Sequence, residues 1–246
     1  MRFRWINSYW TNLLIAMSLI VLSLWLAIQG KLALYIHPRY IWFTVILCSL
    51  ALLCIIAELA SRKTLPKLTV PVRAASIVAS TVCLVFCFVL IILRPSGLTS
   101  SAARQRGINT AALTVSTNTS LADLSSAQVD YTQFSIKEWA ALLSQTNDSA
   151  LFTGKAAMIT GFVSPTPDNN PNVFYVSRFI MTCCAVDARP IGVPVYRPGW
   201  QKEYKADRWV AVQGIFRQNP ENGSNIIVLE PQSITPVDEP KEPYAY

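Results

Sequence analysis

The sequence predicts a membrane protein in two parts, an α-helical membrane region followed by a small, mostly β soluble domain. Three observations support this fold class. First, 52% of the 246 residues are hydrophobic and only 14% are charged, an apolar excess that is unusual for a soluble enzyme. Second, residues 1–100 carry nine basic residues and one acidic residue, a net charge of +8, whereas the remainder carries twelve basic and thirteen acidic residues, a net charge of −1. Third, three long apolar stretches without charge lie in the first hundred residues.

These apolar stretches, at about 12–28, 40–57 and 74–93, predict three transmembrane helices within residues 1–94. At a rise of about 1.5 Å per residue, each can cross a hydrocarbon layer of about 30 Å, the first two only just. Because Arg2 and Arg4 precede the first stretch, a cleaved signal peptide is the alternative interpretation of that stretch alone.

The basic residues of the loops predict the orientation. Arg2 and Arg4 lie on the same side of the membrane as the loop between the second and third stretches, which carries four basic residues between positions 62 and 73. Short basic loops favour the cytoplasmic side. We therefore expect a multi-pass protein of the cell (cytoplasmic) membrane, in contact with the lipid bilayer, with its amino terminus inside and its carboxy-terminal domain outside.

The rest of the chain divides into three predicted parts. Residues 95–130 are rich in Ser, Thr and Ala, which is typical of a linker. Residues 131–237 form the predicted extracytoplasmic β domain, which is long enough to bury one core. Residues 238–246 are acidic and contain two prolines, which predicts a tail outside the core.

The β domain begins with a helix signal. Ser135 is followed three residues later by Glu138, a capping-box pattern that predicts a helix from Ser135 to about Gln145. Runs bounded by Pro, Gly, Asn or Asp then predict five strands, at 152–163, 173–186, 191–196, 209–216 and 226–229. One helix followed by five closely spaced strands predicts an OB-like five-stranded barrel, with a generic β-sandwich as the alternative.

The cysteines supply the candidate chemistry. Four of the six lie inside the apolar stretches, where Cys usually packs as a small hydrophobe. Cys183 and Cys184 are adjacent in a domain that we expect in an oxidising compartment, where thiols are usually paired. Neighbours in a flat strand point to opposite faces, so joint ligation requires a bulge or a strand end. Asp187 and Pro190 mark such an end.

Three interpretations of this pair are open. Cys183, Cys184 and Asp187 could bind a soft metal ion; the two cysteines could form a strained disulfide; or both could be packed structural thiols. A closed zinc site uses four nitrogen or sulfur ligands, and residues 131–237 contain no His. Cu(I), which needs fewer ligands, is therefore easier to accommodate than Zn(II).

Three blocks of sequence resemble a known family. Gly161-Phe-Val, the stretch Val176-Ser-Arg-Phe-Ile-Met-Thr-Cys-Cys-Ala-Val-Asp-Ala and the stretch Asp207-Arg-Trp-Val-Ala-Val-Gln-Gly are similar to the YcgQ-like bacterial membrane proteins, which are described as permease subunits. The resemblance implies a partnership with a larger polytopic permease. The residues that match the motif are Arg178, Cys183, Cys184, Asp187, Trp209 and Gly214.

Other functions find less support in the sequence. It contains no glycine-rich phosphate loop, no dinucleotide fingerprint and no Gly-x-Ser-x-Gly elbow. The charge of −1 beyond residue 100 argues against a nucleic-acid partner, since phosphate binding needs clustered basic residues. We therefore expect a non-enzymatic accessory subunit of a permease, whose β domain binds a metal ion, a thiol compound or a protein near Cys183 and Cys184. The alternatives are a membrane-tethered thiol oxidoreductase that uses these cysteines, and a purely structural or partner-binding domain.

Overall fold

The chain folds as two units, residues 1–96 and 97–246, each of which is described by itself. The computed structural model describes residues 8–61, 81–82, 85, 97–110, 130–146, 148–221 and 226–246. In the first unit, helix α1 comprises Ser8–Ile28 and helix α2 comprises Ile41–Ser61. A 3₁₀ turn, Pro38–Tyr40, leads directly into α2, and His37 caps this turn by accepting a hydrogen bond from the backbone N–H of Arg39.

One helix among the described residues, Pro38–Ala60, is long and apolar enough to cross a membrane. Its 23 residues extend over about 34 Å at the usual helical rise. Within α1, the segment Leu13–Ile28 is apolar but shorter than a membrane-spanning helix requires. The third predicted membrane helix, residues 74–93, and the basic loop 62–73 fall almost wholly outside the described residues, so three spans are not shown.

The second unit consists of short helices and one five-stranded sheet. Its elements are α3 Ser100–Arg106, α4 Ile136–Gln145, α5 Ser149–Phe152, β1 Ala156–Pro165, β2 Val173–Ile180, β3 Arg189–Tyr196, β4 Trp209–Gln218 and β5 Ile227–Pro236. The predicted five-stranded, mostly β domain with a preceding helix is thus confirmed.

The strands pair in the order β1-β2-β3-β5-β4, and β4 pairs again with β1, so the sheet closes on itself. All pairs are antiparallel except β3 with β5, which are parallel and joined at Val195 and Leu229. β1 changes partner along its length: residues from Ala156 to Phe162 pair with β4, and residues from Phe162 to Pro165 pair with β2. This change of partner separates the first half of β1 from the end of β2.

Helix α4 covers one side of the core. Ser135 and Glu138 form the predicted capping box, with the Ser135 side chain accepting from the Glu138 backbone N–H and the Glu138 carboxylate accepting from the Ser135 N–H. The apolar face of α4 buries Trp139 and Leu142 completely. The Trp139 ring lies 4.6 Å from the ring of Phe216 on β4, so the helix is fixed to the sheet by aromatic packing.

Several strand boundaries differ from the prediction, most of all the start of β1, the end of β2 and the end of β5. The strand predicted to start at residue 152 starts at Ala156, because Asp148 caps the short helix α5 that includes Phe152. The last strand, predicted to stop at 229, continues to Pro236. Pro231 is accommodated because the pairing of β4 with β5 shifts register between Gln213 and Gly214, and a register irregularity is where a strand tolerates proline.

Part of the predicted linker packs on the sheet. In the segment 97–110, which we call the docked segment, the side chain of Ala103 is completely buried. Asp207 accepts a hydrogen bond from the Ser100 backbone N–H. Asn109 pairs with Gly192 of β3 through two hydrogen bonds of 2.8 Å. Residues 97–110 therefore pack on the domain, although their composition predicts a linker. The rest of the predicted linker, 111–129, lies outside the described residues.

The predicted tail also contacts the domain. The backbone N–H of Ala245 donates to the carbonyl of Phe179 at 2.8 Å, and Tyr244 is buried. The backbone at Ala245 thus pairs with the end of β2, which a composition of charged residues and prolines does not indicate.

Candidate functional site

Cys183 and Cys184 lie in the turn that joins β2 to β3. We call residues Thr182–Asp187 the thiol turn. The predicted second strand, which ran to residue 186, ends at Ile180, so both cysteines lie beyond the strand. Their sulfur atoms are 3.4 Å apart, and neither cysteine is in a disulfide. Since neighbours in a regular strand point to opposite faces, the turn is what allows the two thiols to meet.

Asp187 organises this turn through its carboxylate. One oxygen accepts hydrogen bonds from the backbone N–H groups of Thr182 and Cys184, at 3.2 and 3.4 Å, and the other accepts from the N–H of Cys183 at 2.7 Å. The N–H of Asp187 donates to the Cys184 carbonyl at 3.0 Å. The carboxylate thereby holds the two cysteines in one conformation.

The ligand atoms of Cys183, Cys184 and Asp187 all lie within 4.8 Å of one another. Cys183 is exposed and Cys184 is half-buried, so solvent reaches the pair. Two thiolates and one carboxylate oxygen could bind one ion, because a carboxylate has lone pairs left after accepting backbone hydrogen bonds. The sequence prediction that these three residues belong together agrees with this geometry.

The two thiols have different acidities. A hydrogen bond with Asp187, and a second with Cys184, raise the pKa of Cys183 to about 12. A hydrogen bond from the Val186 backbone N–H, followed by one from Cys183, lowers the pKa of Cys184. Burial alone would raise the pKa of Asp187, but hydrogen bonds from Cys183 and the turn backbone together lower it. A single negative charge on sulfur is therefore favoured on Cys184.

This difference predicts the order of alkylation. Alkylating agents react with the thiolate, so between about pH 7 and 9 we expect iodoacetamide to modify Cys184 before Cys183, with a rate that rises as the pH passes the lowered pKa of Cys184. Peptide mapping by mass spectrometry separates the two sites from the other cysteines. In Cys183→Ser the rate at Cys184 should stay high, and in Asp187→Asn the slow reaction of Cys183 should accelerate. Faster modification of Cys183 in the wild type would contradict this assignment.

Arg106 also contacts the thiol turn, although no sequence signal indicates it. Its guanidinium donates to the carbonyl of Ala185 at 3.2 Å and also to that of Ala188. Arg106 ends helix α3 of the docked segment, so the chain that follows the predicted membrane helices is attached directly to this turn. The contact joins residues that are about eighty positions apart, which spacing alone cannot reveal.

The other predicted motif residues lie elsewhere in the domain. The Arg178 guanidinium stacks over the ring of Trp209 at 5.4 Å, and Trp209 meets the ring of Phe162 edge-on at 6.0 Å. Among the described contacts Arg178 makes no ion pair with Asp187, whose carboxylate accepts hydrogen bonds from the backbone of the thiol turn. Arg178 and Trp209 therefore form a pair of their own.

Gly214 lies at the register shift between β4 and β5. A Cβ atom there would overlap the backbone carbonyl of Glu230. Gly161 on β1 is similar, because a Cβ atom would overlap the carbonyl of Ser177. Both glycines allow close approach of neighbouring strands, so their place in the motif is explained by packing.

The comparison with protein families gives one match. The family described as the DUF1980 C-terminal domain matches residues 115–246, more than half of the chain. No curated protein and no solved structure matches the chain. The matched region includes β1 to β5 and the thiol turn, and it fits the resemblance to the YcgQ-like membrane proteins.

Proposed function

We propose, from the premise that the chain belongs to the DUF1980 C-terminal domain family, that it is a membrane-anchored accessory subunit whose β domain binds a soft metal ion through Cys183 and Cys184. The observation that carries this proposal is the thiol turn, in which two accessible sulfur atoms and the Asp187 carboxylate lie within 4.8 Å of one another. Sulfur ligands select soft or borderline ions such as Cu(I) and Zn(II).

The ligand set favours an open site over a closed structural one. Structural zinc sites use four Cys or His ligands, and the described residues near the turn supply two thiols and one carboxylate. An ion bound here would retain exchangeable positions, which suits a subunit that passes an ion to or from a partner. Cu(I) is the preferred ion because two thiolates are sufficient for it, and Zn(II) would need water or a partner's side chain to complete four ligands.

A vicinal thiol oxidoreductase is the competing hypothesis. Disulfide geometry favours Cα atoms 4.4–6.8 Å apart, whereas a trans peptide holds neighbours at about 3.8 Å. Redox enzymes commonly place two residues between their cysteines.

The membrane placement is part of the proposal. One helix, Pro38–Ala60, is able to span a membrane, and the apolar stretches on either side support a multi-pass region. The basic residues between 62 and 73 support an external β domain. A membrane-impermeant maleimide should then label the thiol turn on intact cells, and labelling only after permeabilisation would place the domain inside.

The partner and the barrel type complete the proposal. The resemblance to the YcgQ-like proteins supports a larger polytopic permease as the partner. The strand order β1-β2-β3-β5-β4, with β3 parallel to β5, supports an OB-type barrel, a fold in which loops on a rigid sheet carry the binding residues.

Metal binding is tested on the full-length protein, reduced and held in a non-ionic detergent. We expect Cu(I), titrated against a competing chelator, to bind with micromolar or tighter affinity, and Zn(II) to bind more weakly. Cys183→Ser and Cys184→Ser should each lower the Cu(I) affinity by about a hundredfold or more, because each removes one of two thiolate ligands.

Cys48→Ser and Cys54→Ser are the matched controls, since both thiols lie on α2 and outside the turn. They should leave the affinity unchanged. Equal Cu(I) affinity in the wild type and in Cys183→Ser, with both proteins folded, would overturn the metal hypothesis. Ready formation of a Cys183–Cys184 disulfide that exchanges with added dithiols would support the oxidoreductase instead.

A further inference from the structure

A cleft opens where β1 and β2 separate. β1 pairs with β2 only from Phe162 onward, while β2 continues past Ser177 to Ile180 beside β3. The gap between Met158–Thr160 on β1 and Arg178 on β2 forms a cavity of about 430 Å³. The start of α4 and the carboxy-terminal residues up to Tyr246 line its other sides. This cleft is distinct from the thiol turn, whose residues do not line it.

Arg178 is the unusual group in this cleft. Its side chain is half-buried, and burial lowers the pKa of its guanidinium. Its Nε is buried without a hydrogen-bond partner in the described part of the chain, and its described contact is the face of Trp209. A partly buried guanidinium is stabilised by an anion, since its N–H donors form strong charge-assisted hydrogen bonds with a carboxylate.

Arg217, in the same domain, is a useful comparison because its guanidinium is paired with a carboxylate. It also stacks over an aromatic ring, that of Tyr196, at 5.3 Å. Its guanidinium, however, lies 2.9 Å from the carboxylate of Glu230. Within the described ranges, no carboxylate lies at ion-pair distance from Arg178. The Nε of Arg217 is likewise buried without a hydrogen-bond partner in the described part of the chain, so what distinguishes the two arginines is the carboxylate beside the terminal nitrogen of Arg217.

The charge and walls of the cleft define the ligand class. Arg178, Lys137 and Glu242 are the charged side chains that line the cleft. Lys137 is already engaged with the backbone carbonyl of Tyr246 at 3.2 Å. Apolar wall is supplied by Ile136 and by Met158, which is 57% exposed. The guanidinium of Arg178 suits the anionic group of a ligand, and the apolar wall suits a ligand with an apolar body.

We propose that this cleft binds a small organic carboxylate, whose carboxylate group pairs with Arg178 and whose apolar body lies against Ile136 and Met158. Arginine presents two parallel N–H donors to a carboxylate, which fixes the orientation of the ligand. Trp209 stabilises the guanidinium by cation–π stacking. The site goes beyond the proposed metal function, and neither proposal depends on the other.

The test uses benzoate as the probe and benzyl alcohol as its neutral analogue, with binding to the full-length protein in non-ionic detergent measured by calorimetry. We expect benzoate to bind at least about tenfold more tightly than benzyl alcohol, as for a charge-assisted pair. Arg178→Gln should lower benzoate affinity by about tenfold or more, and Arg217→Gln should leave it unchanged. Glu242→Gln, on an exposed residue, should tighten binding severalfold by removing a like charge.

The gain expected in Glu242→Gln cannot arise from misfolding, so it supports the site even if Arg178→Gln proves unstable. Absence of benzoate binding to the wild type would overturn the proposal, as would equal benzoate affinity in a folded Arg178→Gln variant. A parallel titration with inorganic phosphate tests the ligand class. Tighter, Arg178-dependent binding of phosphate than of benzoate would also overturn the assignment to a carboxylate.

Discussion

Replacing Trp139 by Ala is expected to destabilise the β domain by about 3–5 kcal/mol, the usual cost of removing a buried large aromatic side chain. Trp139 is completely buried and contacts the rings of Phe216 and Phe134, with centroids 4.6 and 5.2 Å away. Its loss leaves a cavity between α4 and the sheet. Thermal and urea unfolding of the full-length protein, followed by circular dichroism in the β region, measures the change.

Trp139→Phe is the matched control for this prediction. The indole Nε1 is buried and has no hydrogen-bond partner in the described part of the domain. Phe keeps the aromatic packing and removes an unpaired donor, whose burial is itself unfavourable. We therefore expect Trp139→Phe to cost much less than Trp139→Ala. Equal losses for both variants would contradict the assignment of the stabilisation to aromatic packing that Phe can retain.

The second large effect is expected for Gly214→Ala, a loss of about 3 kcal/mol. Ala normally gains up to about 1 kcal/mol over Gly by restricting the unfolded chain. Here the added Cβ would overlap the carbonyl of Glu230, so β4 and β5 must separate at the register shift. Overpacking of this kind costs about 1–3 kcal/mol or more. Denaturant unfolding at constant pH gives the difference.

Gln213→Ala serves as the control for this position. Gln213 precedes Gly214 on the same strand and is exposed, so its replacement should change the free energy of unfolding by about 0.5 kcal/mol or less. If Gly214→Ala were as stable as Gln213→Ala, the close approach of the two strands would be relaxed easily in solution, and the glycine would need another explanation.

The elements that sequence analysis predicted well are those with local causes. Ser135 and Glu138 specify the start of α4 by themselves, because a capping box needs only residues three positions apart. Val173 and Trp209 begin strands where turn residues precede alternating apolar positions. The thiol pair could be identified as a candidate site because two adjacent cysteines are conspicuous in any sequence.

The features that sequence analysis did not predict depend on contacts between residues far apart in the chain. Arg106 reaches the thiol turn across about eighty positions, and nothing in its own neighbourhood indicates this. Pro231 appeared to end a strand, and only the register shift opposite Gly214 shows why β5 continues. The stacking of Arg178 on Trp209 is likewise a property of the folded domain, since the nearby Asp187 accepts hydrogen bonds from the thiol turn instead.

The pairing of Asn109 with Gly192 has a consequence for self-association. Gly192 lies on the stretch of β3 that precedes its junction with β5, and in the described ranges Asn109 supplies the hydrogen bonds on that side, including one from its backbone N–H to the Pro190 carbonyl. Unprotected strand edges recruit strands from other molecules. A fragment cut at residue 115, where the family match begins, would lack Asn109 and present a bare edge. We therefore expect a fragment that begins at residue 115 to associate with itself more readily than one that keeps residues 97–110.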